Sequence, residues 1–165
     1  MAGNILLSLI ENIKTWDKLE KGIADLPTEI QRGNVFEEFC HAFFLLDSVF
    51  QFKAVYRQND IPPSIRERLG YPGIQDIGID GVGITDEGQM FAYQAKFRSY
   101  RKSTPTLREL STFFTVSDKA DWRITIANKM WPFPKIKTSM MYFPRDVLPV
   151  LLFFLFSQFM QYFNS

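Results

Sequence analysis

Cysteine is almost missing from this 165-residue sequence, which contains only Cys40. A single thiol cannot form an intrachain disulfide or build a cysteine-based zinc site. The formal net charge is +1, so the chain as a whole has no strong electrostatic attraction for nucleic acid. Any such attraction requires local clustering of basic residues. The sequence also lacks internal repeats and low-complexity linkers.

Charge is absent from the end of the sequence, where residues 147–165 carry none. The apolar run at 147–163 reaches only the short limit of a transmembrane helix, and Pro149, Gln158 and Gln161 interrupt it. We therefore expect a buried or partner-bound segment, and a membrane anchor is the alternative.

No basic region precedes the apolar stretch near the start of the sequence. This pattern does not fit a secretory signal and favours a cytoplasmic location.

The rest of the composition is globular, with 46% hydrophobic and 22% charged residues. Apolar residues recur at helical spacing from Val35 to Leu46, and two further segments alternate as strands do. We expect a helix at about 4–13 and a second helix that opens at Thr28 or Glu29, breaks at Gly33 and has its main run from Asn34. A strand in 49–57, a loop with one helical turn at 59–73 and a hairpin in 76–97 follow. A helix after Thr106 and a strand in 121–128 complete the expected elements. Helix, three strands, helix and strand predict an α/β fold with a mixed central sheet flanked by helices.

The hairpin carries polar residues where a plain strand would be apolar. Asp86-Glu87-Gly88 predicts a three-residue turn, because Gly88 can adopt the left-handed conformation that closes it. If Thr85 pairs with Gln89, Asp80 lies opposite Gln94 with Cβ atoms about 5 Å apart, and Lys96 shares the face of Gln94. Phe91, Tyr93, Ala95 and Phe97 then face the core.

This grouping of side chains suits a hard divalent cation such as Mg²⁺, which prefers oxygen ligands. Asp80 supplies one ligand, and the Gln94 side-chain oxygen or the Ala95 main-chain carbonyl supplies more. Lys96 cannot bind a cation, but it can orient or deprotonate a water or stabilise charge on a phosphate. The alternative is that these residues form the solvated face of a half-buried sheet.

Three short motifs resemble those of one nuclease family. Gly33–Glu37 matches G-x-x-F-E, Asp76–Asp80 matches D-x-G-I-D, and Gln94–Lys96 matches Q-x-K. In this order they resemble the Mrr-like restriction endonucleases of the PD-(D/E)-x-K superfamily, in the branch where glutamine replaces the second acid. The segment after Lys96 is similar to endonuclease-like domains at the N-terminus of helicase-type restriction proteins. The resemblance covers residues 28–128, which leaves an N-terminal helical segment at 1–27 and a divergent hydrophobic tail at 129–165.

The resemblance implies a restriction-endonuclease-like core with αβββαβ order and a metal-dependent DNA endonuclease. It implies that Asp80, Gln94 and Glu37 bind Mg²⁺, with Mn²⁺ as the alternative, and that Lys96 completes the catalytic set. Asp76 corresponds to the preceding acid, with a structural or secondary role. The implied partners are double-stranded DNA and a helicase or another restriction subunit, with a second copy of the chain as a further candidate.

Two departures from the family pattern qualify these implications. Gln94 is neutral, so the site should hold Mg²⁺ less tightly, and a nuclease-like module that binds DNA without cutting it is the alternative function. No motor sequence follows Asn128.

The basic segment after Lys96 predicts phosphate contacts by Arg98, Arg101 and Lys102 and stacking by Tyr100, with a solvated loop as the alternative.

Several neighbouring residues have simpler interpretations. Glu38 lies about 100° round the helix from Glu37, so we expect it to be solvated. His41 shares the face of Glu37, and we expect it to pack at the helix edge rather than to touch the site. Cys40, Trp122 and Ile124 are expected in the core.

Overall fold

The structure is a computed structural model that describes residues 2–11, 15–46, 50–71, 78–99, 106–128 and 139–142. The elements within these ranges are α1 (Ala2–Ile10), α2 (Trp16–Ala24), α3 (Glu29–Leu46), β1 (Ala54–Arg57), a 3₁₀ turn (Gln58–Asp60), α4 (Pro63–Leu69), β2 (Gly81–Ile84), β3 (Met90–Lys96), α5 (Leu107–Val116), β4 (Trp122–Ala127) and β5 (Ser139–Tyr142).

The strands form one mixed sheet in the order β1-β2-β3-β4-β5. Strands β1, β2 and β3 are antiparallel neighbours, whereas β4 runs parallel to β3 and β5 runs parallel to β4. A mixed sheet with helices confirms the expected α/β class. Strand β5 falls in the segment that the sequence analysis treated as tail, and its pairing extends the sheet beyond β4.

Helices cover both faces of the sheet. Helices α1, α2 and α3 pack on one face, where Tyr93, Ala95, Ile124 and Ile126 are buried. The opposite face is covered by Phe113 and Val116 of α5 together with residues of α4, packed on the side chains Ile79, Val82, Met90 and Ala92. The side chains at Phe91, Tyr93, Ala95 and Phe97 therefore face the first core, as expected. Because side chains alternate along a strand, Gln94 and Lys96 lie on the α5 face.

Helix α3 begins with a capping box. The Thr28 Oγ1 accepts a hydrogen bond of 3.1 Å from the Gln31 N–H, and the Gln31 Oε1 accepts one of 3.3 Å from the Thr28 N–H. The expected break at Gly33 is wrong, since one uninterrupted helix of 18 residues in all runs through it. Its N-cap and its buried apolar side chains together outweigh the roughly 1 kcal/mol that a helical glycine costs.

Four other expectations on local structure need correction. Helix α2 was not foreseen, α4 is longer than the single turn expected, and β1 occupies only the last residues of its predicted strand. Trp122 was expected in the core, but its side chain is 45% exposed. It lies at the start of β4 and stacks on Phe91 with ring centroids 5.7 Å apart. Ile124 and Cys40 are buried, as expected.

The apolar run at 147–163 lies outside the described residues. Among the helices of the described ranges, none combines the length and the apolar character that crossing a membrane requires.

Candidate metal centre

The hairpin that carries the site has the predicted turn and register. Gly88 has a φ of +77°, the Thr85 N–H donates to the Gln89 carbonyl at 3.1 Å, and the Gly88 N–H donates to the Thr85 carbonyl at 3.0 Å. Gly81 pairs with Tyr93, which is the register that a three-residue turn imposes.

Asp80 lies where β2 and β3 part. Its backbone N–H donates to the Tyr93 carbonyl at 3.0 Å, and its carbonyl accepts from the Gln58 N–H at 3.0 Å. The carboxylate Oδ2 accepts a hydrogen bond of 2.6 Å from the Ala95 N–H. The side chain of Asp80 therefore replaces the backbone acceptor that a longer β2 would offer, and its carboxylate is fixed at the edge of β3.

Gln94 is almost fully buried, with 4% of its surface exposed. Its Nε2 donates to the Gly78 carbonyl at 2.9 Å, and its Oε1 is buried without a hydrogen-bond partner. Gly78 has a φ of +67°, a conformation that glycine adopts without strain. A Cβ at Gly78 would lie 3.4 Å from Thr112 Cγ2 and 3.7 Å from Gln94 Nε2, so Gly78 packs directly on Gln94 and α5.

Glu37 is exposed on helix α3, which packs on strands β3 and β1. Burial raises the pKa of the Cys40 thiol well above its ordinary value, and the negative charges of Asp80 and Glu37 raise it further. The charges of both carboxylates therefore act on the same buried thiol of α3.

Lys96 is the last residue of β3 and is half-buried. Its neighbour in β4 is Ala127. Within the described ranges, no ion pair engages its ammonium group. The group thus stands at the strand end that also carries Gln94, and its charge is not neutralised by a described carboxylate.

The donor set of these residues fits a hard divalent cation. Asp80 and Glu37 offer carboxylate oxygens, and Gln94 offers a buried amide oxygen that has no hydrogen-bond partner. Among the residues that the structure describes, no group of three or more His, Cys, Asp and Glu side chains could hold a metal ion.

Of the four residues predicted to contact DNA, three lie outside the described residues: Tyr100, Arg101 and Lys102. Asp76 lies outside them as well. The fourth, Arg98, is described, and its guanidinium forms an ion pair with Glu109. Glu109 also accepts a hydrogen bond of 2.7 Å from the Thr106 N–H. This hydrogen bond is the largest cause of the lowered pKa of the Glu109 carboxyl, and the contact with Arg98 lowers the pKa further.

The sequence analysis missed an ion pair beside the site. Glu38 was expected to be solvated, but its Oε2 lies 2.7 Å from the Arg57 Nη2. The two residues are 19 apart in sequence, so only the packing of α3 on β1 brings them together.

His41 is buried, in agreement with the expectation that it packs at the helix edge. Its Nδ1 lies 3.3 Å from the Tyr93 Oη. Burial lowers the pKa of His41 to about 4 and the Arg57 charge lowers it too, against an opposing effect of Asp60. Burial also raises the pKa of Tyr93, so a neutral phenol and a neutral imidazole form this contact, and the tautomer of His41 sets which of them donates. Gly81 makes room for this contact, because a Cβ there would lie 2.2 Å from the Tyr93 Oη.

No family model matches the chain, and neither a curated protein nor a solved structure matches it.

Proposed function

We propose that this chain contains a metal-dependent DNA endonuclease domain with a restriction-endonuclease-like core, working in the cytoplasm. In residues 28–128, the order α3, β1, β2, β3, α5, β4 supports that core, with α4 inserted between β1 and β2. The observation that carries the proposal is the arrangement at the end of β3. The Asp80 carboxylate accepts a hydrogen bond of 2.6 Å from the N–H of Ala95, the residue between Gln94 and Lys96.

Each residue of the site has a distinct role in this proposal. Asp80, Gln94 and Glu37 would hold Mg²⁺ or Mn²⁺ through their side-chain oxygens. Such a cation stabilises the charge that develops on a phosphodiester during hydrolysis. Lys96 orients the attacking water or stabilises charge on the phosphate, since its ammonium donates hydrogen bonds and cannot bind a cation.

Duplex DNA is the substrate that this proposal requires. The segment from Arg98 to Lys102 follows the catalytic lysine directly and is rich in basic residues. Its charges would contact the phosphates that flank the scissile bond, and Tyr100 would stack on a base or a sugar. A helicase or another restriction subunit is the partner that would bring DNA to the domain.

A DNA-binding module without cleavage is the second candidate, and the chemistry of Gln94 favours it. An amide at this position gives the site one negative charge fewer than a carboxylate would. A site with fewer charged ligands binds a divalent cation more weakly. In that case the protein would bind DNA with an affinity that falls steeply as the salt concentration rises.

Plasmid cleavage by the full chain tests the proposal. We expect supercoiled plasmid to be nicked or linearised with Mg²⁺ or Mn²⁺ and to stay intact with a chelator. The Asp80→Asn variant should lose this activity, because it keeps the shape of the side chain and removes its charge. Asp118→Asn is the matched control, since the exposed Asp118 lies in the turn after α5, outside the candidate site.

Two results would contradict the proposal. If Asp80→Asn cleaves as fast as the wild type, Asp80 does not hold the metal. If the wild type binds DNA but leaves it intact with either metal ion, the binding module is the correct function.

A further inference from the structure

A side chain continues the β3–β4 ladder after its last backbone pair. That pair is Lys96 and Ala127. Asn128 follows Ala127 at the end of β4, and its Oδ1 accepts a hydrogen bond of 2.7 Å from the Arg98 N–H. Its Nδ2 donates to the Arg98 carbonyl at 3.0 Å. The carboxamide thus binds both main-chain groups of Arg98, as the peptide group of a neighbouring strand would.

A buried carboxylate fixes the orientation of this carboxamide. The Asn128 Nδ2 also donates to Glu20 Oε1 of helix α2 at 2.9 Å. Asn128 is 9% exposed and Glu20 is 7% exposed, so water competes little for these bonds. The Arg98 N–H only donates and the Arg98 carbonyl only accepts, so Oδ1 faces the N–H, and the contact of Nδ2 with Glu20 holds the same orientation.

The opposite edge of β3 has little other support at this end. Strand β2 ends its pairing at Gly81 and Tyr93, so Gln94, Ala95 and Lys96 have no β2 partner. At this edge, the Ala95 N–H donates to the Asp80 carboxylate instead. After Lys96 the described contacts are the packing of Phe97 on Phe36, the ion pair of the Arg98 guanidinium with Glu109 and the Asn128 hydrogen bonds to Arg98, and of these the Asn128 hydrogen bonds hold the main chain itself.

We propose that Asn128 is a positioning residue for Lys96, acting through its two hydrogen bonds to the Arg98 main chain. This inference rests on the proposed function, because it assigns a role to Asn128 in the use of Lys96. The Asn128 contacts hold the backbone two residues beyond Lys96, so they fix the course of the strand end that carries the ammonium group. Glu20 contributes by holding the carboxamide.

The first test compares Asn128→Ala with the wild type in the full chain. The variant should show faster amide hydrogen exchange at Arg98. It should cleave plasmid with a kcat lower by about 10- to 100-fold, the effect expected of a small displacement of a catalytic group. The KM for plasmid should stay within about threefold, because the side chain of Asn128 is buried and the Arg98 guanidinium keeps its separate ion pair with Glu109. Asn34→Ala is the control, since Asn34 is exposed on α3.

A second variant keeps the test valid if Asn128→Ala does not fold. Asn128→Asp combined with Glu20→Gln exchanges the amide and the carboxylate of this pair. The new glutamine can donate to the new aspartate, and the Arg98 N–H keeps its acceptor. Only the Arg98 carbonyl loses its donor, so we expect a folded protein whose kcat is lower by about three- to tenfold.

The outcomes separate this inference from the proposed function. Faster exchange at Arg98 with a kcat within twofold of the wild type overturns the positioning role, as does a lower kcat with unchanged exchange. A KM that rises as much as kcat falls overturns it too. A wild-type chain without any cleavage refutes the proposed function and this inference with it.

Discussion

The Asp80 carboxylate and the Ala95 N–H share a hydrogen bond of 2.6 Å at the point where β2 and β3 separate. A carboxylate at this place does two things at once. It satisfies an edge N–H that would otherwise lack a backbone acceptor, and it carries a negative charge to the strand that bears Gln94 and Lys96. The shape of the Asp80 side chain supports the fold and its charge supports the site, which is why the isosteric asparagine separates the two roles.

Lys96→Ala should abolish cleavage while leaving the fold intact. Within the described ranges the ammonium forms no ion pair, so its removal should change the free energy of unfolding by no more than about 0.5 kcal/mol. The cleavage rate should fall by at least about 100-fold. Plasmid cleavage and thermal unfolding measure the two effects, and Lys53→Ala, at an exposed residue before β1, is the control. Normal cleavage by Lys96→Ala would exclude the lysine from the mechanism.

Gln94→Glu should make stability depend on the divalent cation. The substitution removes the donor to the Gly78 carbonyl and places a carboxylate in a buried position, which should cost about 1–3 kcal/mol without metal. Bound Mg²⁺ should restore about 2–3 kcal/mol at concentrations near 100 times Kd. Melting temperatures with and without Mg²⁺ test this, with the exposed Gln89→Glu as the control. Equal shifts in both variants would show that Gln94 does not bind the cation.

Two glycine substitutions should act in opposite directions. Gly78→Ala forces a side chain into a conformation with a φ of +67° and should cost about 1–2 kcal/mol. Gly33→Ala lies within α3, where nothing occupies the space of a new Cβ, and should stabilise the fold by about 0.5–1 kcal/mol. Denaturant unfolding measures both. Only Gly78→Ala should also raise the Mg²⁺ concentration needed for cleavage, since it moves the carbonyl that holds Gln94.

The sequence predicts the parts of the site that depend on local chemistry. The turn at Gly88 fixes the register of the hairpin, and strand alternation then assigns the faces of Gln94 and Lys96. The cap of α5 is equally local, because Thr106 and Glu109 are three residues apart and form a capping box. These rules require no knowledge of distant residues.

Contacts between distant residues could not be predicted in this way. Asn128 and Glu20 are 108 residues apart, and their hydrogen bond exists only because α2 packs beside the end of β4. Trp122 has the apolar character of a core residue, yet it lies at the open start of its strand. Burial of such residues is decided by which element ends beside which, and one sequence alone carries no signal for that.

The neutral state of His41 should make the fold sensitive to acid. Its pKa is about 4 in the folded protein and near the ordinary 6.5 in the unfolded chain. Between these values the unfolded chain binds more protons, so the free energy of unfolding falls as the pH falls through this window. The imidazole accounts for a loss of about 2 kcal/mol between pH 7 and pH 5.

His41→Gln should remove this contribution, because its amide oxygen can accept from the Tyr93 hydroxyl without titrating. Urea unfolding at a series of pH values between 7 and 5 should show a shallower pH dependence for the variant than for the wild type. The lowered pKa of the Glu109 carboxyl moves its titration away from this range, and it affects both proteins alike. If the two proteins lose stability in parallel, the pKa of His41 does not change on folding, and the imidazole is not the source of the acid sensitivity.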